Sequence, residues 1–108
     1  MDTQATAIII CSAADALESL DTDYGTETGA DICEDIHTLY LAAEQIDEAR
    51  TLETIHITLD DALSTLASAY AELDTLPAAV QTMTSRRVRV TVGRALDHVD
   101  AQVAAFSR

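Results

Sequence analysis

Two copies of one pattern, Glu34-Asp-Ile-His37 and Glu53-Thr-Ile-His56, are the residues of this chain whose types and spacing best suit a metal ion. A carboxylate and an imidazole three positions apart share one helix face, and that donor pair suits iron or manganese. A di-iron bundle needs two such pairs on different helices and a glutamate from each of two more. A carboxylate–histidine metal-binding bundle is therefore one alternative for this chain. The elements that would carry the pairs point elsewhere. At about 100° per residue, His37 and His56 fall at the edges of apolar stripes and Glu34 and Glu53 turn outward, while Ile and Leu take the inward positions. The stripes of the first and last helices hold no glutamate, and His98 lies beside Asp97 and Asp100. The expectation is solvated boundary histidines, with no metal and no cofactor.

Other chemistries find less. Asp21-Thr-Asp-Tyr-Gly25 begins like a calcium loop, but the twelfth position is Ile32, where a bidentate glutamate is required. There is no Gly-x-Ser-x-Gly elbow and no glycine-rich phosphate loop. Cys11 and Cys33 stand in acidic surroundings, which oppose a thiolate. They also lie at different heights from the connecting loop, which opposes a disulfide. The chain is read as non-enzymatic.

What stands out is the sorting of charge. The chain has no lysine and a net charge of −13. Seventeen of its nineteen acids fall between Asp2 and Asp74, where Arg50 is the only base. Arg86, Arg87, Arg89 and Arg94 then follow as a cluster. The overall sign disfavours direct binding to nucleic acid, whose affinity comes mainly from phosphate contacts, and to anionic membranes. The arginine cluster is expected to offset the protein's own acidic helices, across the bundle or across a dimer, or else to grip an acidic partner. On the last helix Arg86 and Arg94 lie opposite the apolar stripe near Met83 and Val90, with Arg87 and Arg89 flanking it. Ile8 also falls off its stripe and is a candidate contact residue.

The elements are helical. Apolar positions recur with a 3.6-residue period and predict helices over about residues 3–20, 30–50, 52–76 and 77–106. An acidic loop over 21–29 separates the first two. Nothing breaks the chain between the second and third helices except Thr51, a good N-cap that favours a turn there. Leu76-Pro77 is a firm boundary, because Pro77 suits a first helical turn. The run Val88–Val92 alternates like a strand, yet helical spacing continues on both sides and no second strand is available to pair with it. The fold predicted is an all-α, small antiparallel bundle of three or four helices in a single domain. With 48% apolar residues and almost no aromatics, its core must come from Leu, Ile, Val and Ala.

Tyr70-Ala-Glu-Leu-Asp74, with Tyr40-Leu-Ala-Ala-Glu44 as a second copy, resembles the Y-x-x-x-[DE] export signal of small helical substrates of type VII secretion. The resemblance implies a helical hairpin exported without a cleaved signal. It covers five residues, and the W-x-G turn of that family is missing, since the chain has no tryptophan. The apolar stretch Ala7–Ala16 is preceded by Asp2 and not by a basic segment, so no signal peptide is read, and the expected location is cytoplasmic.

The reading that results is a small acidic helical interaction or regulatory protein. It binds a macromolecular partner or forms a homodimer. One concrete form is an inhibitor whose carboxylates imitate phosphates.

Overall fold

The computed structural model describes residues 3–24 and 32–106. Four α-helices carry the fold: α1 (Thr3–Tyr24), α2 (Ile32–Glu48), α3 (Leu52–Asp74) and α4 (Met83–Phe106). A short 3-10 turn, Ala78–Val80, precedes the last of them. The protein is all-α, as its periodicity predicts, and the Val88–Val92 run is helical. No helix among the described residues is long and apolar enough to cross a membrane.

Each helix packs mainly on two others, in the ring order α1–α2–α3–α4 and back to α1. Cross-helix contacts show the directions. Thr6 meets His98 and Tyr24 meets Thr82, so residue numbers rise along α1 as they fall along α4. His56 meets Phe106 and Asp74 meets Arg89 in the same sense. Both pairs are therefore antiparallel, which identifies an up-down-up-down bundle measuring 44 × 23 × 18 Å.

The core holds Ile10, Leu17, Leu39, Ile46, Leu66 and Val99, all fully buried, and is filled out by alanines such as Ala13, Ala43, Ala62 and Ala95. Small side chains at helix crossings let the axes approach closely. Three polar residues are buried among those described, and each has a partner. Thr6 Oγ1 lies 3.2 Å from His98 Nε2. Thr58 Oγ1 donates to the Thr54 carbonyl at 2.8 Å. Ser85 takes part in the cap of α4.

Several expected boundaries shift. Residues 21–24, expected in the acidic loop, form the last turn of α1. Residues 25–31 lie outside the described residues, and with them the rest of that loop and the start expected for α2 at 30. The break between α2 and α3 is where the sequence placed it. Thr51 is extended (φ −123°, ψ 151°), and its side chain accepts the Thr54 N–H at 3.1 Å.

The last helix does not begin at Pro77. Pro77 is extended, with ψ 148°. The chain makes one 3-10 turn that buries Leu76 and Val80 against the end of the core. The α-helix then starts at a reciprocal cap. Thr82 N–H donates to Ser85 Oγ at 2.9 Å, and Ser85 N–H to Thr82 Oγ1 at 3.3 Å. Two otherwise orphaned donors are satisfied there, and Tyr24 adds a hydrogen bond to Thr82 Oγ1 at 3.0 Å from the end of α1.

Leu52, which the 3.6-residue period places on the apolar stripe of α3 with Ile55 and Leu59, is 72% exposed. It sits in the first turn of α3, where Cα–Cβ bonds tilt towards the helix N-terminus and so carry the side chain past the end of the bundle.

Candidate functional site

The two E-x-x-H pairs do not come together. Glu34, His37 and Glu53 are exposed, and His56 is half-buried at the outer end of α3. The His56 ring stacks on Phe106 with centroids 5.4 Å apart and planes 6° from parallel. Its Nε2 lies 3.5 Å from Asp60 on the next turn. Among the described residues no three of His, Cys, Asp and Glu are grouped so as to hold a metal ion. The periodicity explains this placement, because both imidazoles flank the apolar stripe and the bundle interior is filled by aliphatic side chains.

The arginine cluster does form a surface. Met83, Arg86, Arg87, Val90 and Arg94 recur at three- and four-residue intervals, so α4 presents them together on the side away from the core. Met83 is 68% exposed and Val90 53%. Arg86, Arg87 and Arg94 are exposed and Arg89 is half-buried. An open groove of about 390 Å³ runs between this face and α3, lined by Tyr70, Arg86, Arg89, Val90, Arg94 and Asp97.

Arg89 differs from its neighbours. Its guanidinium lies 2.6 Å from Asp74 Oδ1 and 5.0 Å from the centre of the Tyr70 ring, within cation–π range. Gly93 allows that ring to lie flat on α4, since a β-carbon there would stand 3.1 Å from Tyr70 Cε2. Tyr70 and Asp74, the ends of the Y-x-x-x-D pattern, thus hold one arginine of the facing helix. Across the bundle, the expected offset of acid by arginine is met by Arg89. Arg86 and Arg94 form no ion pair with any described residue.

The opposite side of the ring, between α1 and α2, is acidic. A groove of about 440 Å³ is lined there by Ile8, Cys11, Asp15, Tyr40, Glu44 and Asp47. Ile8, the candidate contact residue, is 60% exposed within it. The Tyr40 hydroxyl faces Asp15 in a short hydrogen bond and also Glu18 Oε2, at 2.7 Å. These two carboxylates, by hydrogen bonding to the phenol, push its pKa well above the ordinary value. The Cys11 thiol is also raised, by burial first and by the charge of Asp15 second. That is the direction opposite to a reactive thiolate.

A third hollow, of about 560 Å³, lies at the α2–α3 turn among Gln45, Glu48, Arg50, Thr54 and Asp61. Its lining mixes both signs of charge and lacks the sorting seen on the other two faces.

The sequence names Tyr40 and Tyr70 only through the acid four residues after each, and their facing partners, Asp15 and Glu18 for one and Arg89 for the other, depend on register between helices. The spacing of four puts ring and carboxylate on one face.

The chain matches no protein-family model, and neither a curated protein nor a solved structure is significantly similar to it.

Proposed function

We propose that this is a non-enzymatic interaction protein that binds a basic macromolecular surface through the acidic α1–α2 face. The observation that carries this reading is the α1–α2 groove itself. An exposed isoleucine sits among Asp15, Glu44 and Asp47. An apolar centre with a charged margin is the anatomy of a contact surface. Tyr40 holds Asp15 and Glu18 in place, so less ordering is lost when a cationic partner arrives.

The sign of the surface selects partners carrying arginine or lysine, and it raises their encounter rate by long-range attraction. One form of such a partner is a nucleic-acid-binding protein whose groove accepts these carboxylates in place of phosphates.

The test is retention of proteins from the native host on the immobilised chain, followed through a salt series. The expected result is a basic partner that is released steeply as salt rises. Its retention should fall about tenfold or more on the variants Ile8→Ser and Glu44→Gln/Asp47→Asn, in line with loss of an anchor and of facing charge. A partner held equally well by these variants, or insensitive to salt, overturns the reading.

A further inference from the structure

The outer face of α4 and the α1–α2 groove lie on opposite sides of the ring of helices. Their charges are opposite and their patterns correspond. The α4 face runs from Met83 to Arg94, with Arg86 and Arg87 on one side of Val90 and Arg94 on the other. The groove has Asp15 beside Tyr40 at one end, and Glu44 and Asp47 follow Tyr40 one and two turns along α2 towards the level of Ile8. Each surface spans twelve residues of helix, Met83 to Arg94 and Gln4 to Asp15, which is about 16 Å from first to last at 1.5 Å per step. One face is cationic and the other anionic, and each carries an exposed apolar side chain, Val90 and Ile8.

We propose that the basic outer face of α4 of one copy docks into the acidic α1–α2 groove of a second copy, so that molecules add head to tail. The proposal rests on the reading of that groove as an interaction surface and names its occupant. With Val90 set against Ile8, the arginines fall about 6 Å to either side along the helix, and their long side chains reach the carboxylates of Asp15, Glu44 and Asp47 that line the groove. Arg86 and Arg94 are available for this, because neither is ion-paired with a described residue.

Because the two surfaces face away from each other, one contact leaves a free basic face at one end and a free acidic groove at the other. Such a heterologous interface does not close on itself as a two-fold dimer does, and it propagates. The net charge of −13 opposes assembly at long range. At physiological salt the screening length is about 8 Å, shorter than the 18 and 23 Å widths of the bundle. Facing charges in contact then outweigh the repulsion between whole molecules.

The experiment is sedimentation velocity at about 0.15 M salt, over a concentration series, on three proteins. These are the wild type, the basic-face variant Arg86→Glu/Arg94→Glu and the groove variant Glu44→Arg/Asp47→Arg. All four substituted side chains are exposed, and circular dichroism checks each fold. The wild type is expected to grow beyond a dimer as concentration rises. Each variant alone remains a monomer, and an equimolar mixture of the two regains growth beyond a dimer, because the unchanged face meets the unchanged groove and the reversed face meets the reversed groove. The neutral pair Arg86→Gln/Arg94→Gln reproduces the basic-face loss without adding negative charge.

A wild type that stays monomeric, a single variant that still self-associates, or a mixture that does not pair would each overturn the proposal. If self-association fails while a basic host protein is still lost on the groove variants, only the identity of the occupant is wrong. If both fail, the reading of the groove falls with it.

Discussion

The α1–α2 seam and the α3–α4 seam are built alike and used oppositely. Each is an antiparallel helix pair with a tyrosine at its outer edge and an acid four residues further on, Tyr40 with Glu44 and Tyr70 with Asp74. At the first seam the phenol hydroxyl reaches across to α1, where Asp15 and Glu18 share its one proton. At the second the ring face receives the Arg89 guanidinium from α4. A tyrosine has a polar tip and an electron-rich face, and the facing helix decides which is engaged. The same residue at equivalent positions therefore steadies negative charge on one side of the molecule and positive charge on the other.

The contrast is broken most strongly by removing the ring at the basic seam. Tyr70→Ala exposes the groove over Gly93 and removes the surface on which Arg89 lies. For a half-buried aromatic this should cost about 2 kcal/mol, less than the loss for a fully buried one. Urea unfolding monitored by circular dichroism reads the change.

Removing only the hydroxyl sharpens the comparison. Tyr70→Phe keeps the ring face that Arg89 uses and should change stability by less than about 0.5 kcal/mol. Tyr40→Phe loses hydrogen bonds to two carboxylates. Because the site is solvated, the cost should be about 1 kcal/mol, below the range of about 1.5–3 kcal/mol for bonds to charged groups. A larger effect at Tyr70 than at Tyr40 would reverse the assignment.

The same hydroxyl makes the first seam sensitive to alkaline pH. Asp15 and Glu18 hold the Tyr40 phenol protonated above its ordinary range. A folded pKa raised above the unfolded value, about 10 for tyrosine, gives stability that is complete below pH 10 and is lost as pH rises towards the folded value. The advantage of the wild type over Tyr40→Phe should therefore be constant up to about pH 9 and shrink above about pH 10. Unfolding midpoints of the two proteins across that window check it, and an advantage that grows with pH would contradict it.

A smaller coupling is expected between Asp74 and Arg89. Both side chains are about half exposed, 52% and 43%, so solvent screens the pair. A double-mutant cycle with Asp74→Asn and Arg89→Gln should give about 0.5 kcal/mol, within the range for surface pairs, decreasing as salt is added.

These seams show where sequence reasoning carried and where it stopped. The helix count and the capped turn at Thr51 follow from the apolar period and one threonine, both local properties. So does the outward turn of Ile8, Met83, Val90 and the arginines, since angular position depends only on residue spacing. The start of α4 was misplaced because Pro77 was weighed as a local helix signal. Burial of Val80 against the far end of the core, and the latch from Tyr24 to Thr82, are long-range effects that the linear pattern does not carry. Leu52 failed for a related reason, since a periodic stripe has no knowledge of where the bundle ends. The tyrosine clusters were hidden because each depends on register between helices: Tyr40 against Asp15 and Glu18, and Tyr70 against Arg89 and Gly93. Register becomes visible only when the seams are assembled.

The finest test of the basic seam is Gly93→Ala, where two effects of similar size oppose each other. Alanine in place of glycine within a helix favours folding by about 1 kcal/mol. The added β-carbon, however, would stand 3.1 Å from Tyr70 Cε2, closer than ordinary carbon–carbon contact at about 3.5–4.0 Å. The ring sits at the edge of the bundle and can yield by a few tenths of an ångström, but moving off α4 loosens its contact with Arg89. The net change in stability should be small and favourable, below about 1 kcal/mol. The Asp74–Arg89 coupling measured in the Gly93→Ala background should then be weaker than in the wild type, because the ring no longer holds the guanidinium against Asp74. An unchanged coupling would mean that the ion pair alone positions Arg89 and that the ring merely covers it, leaving Tyr40 as the only one of the two tyrosines that orients charge.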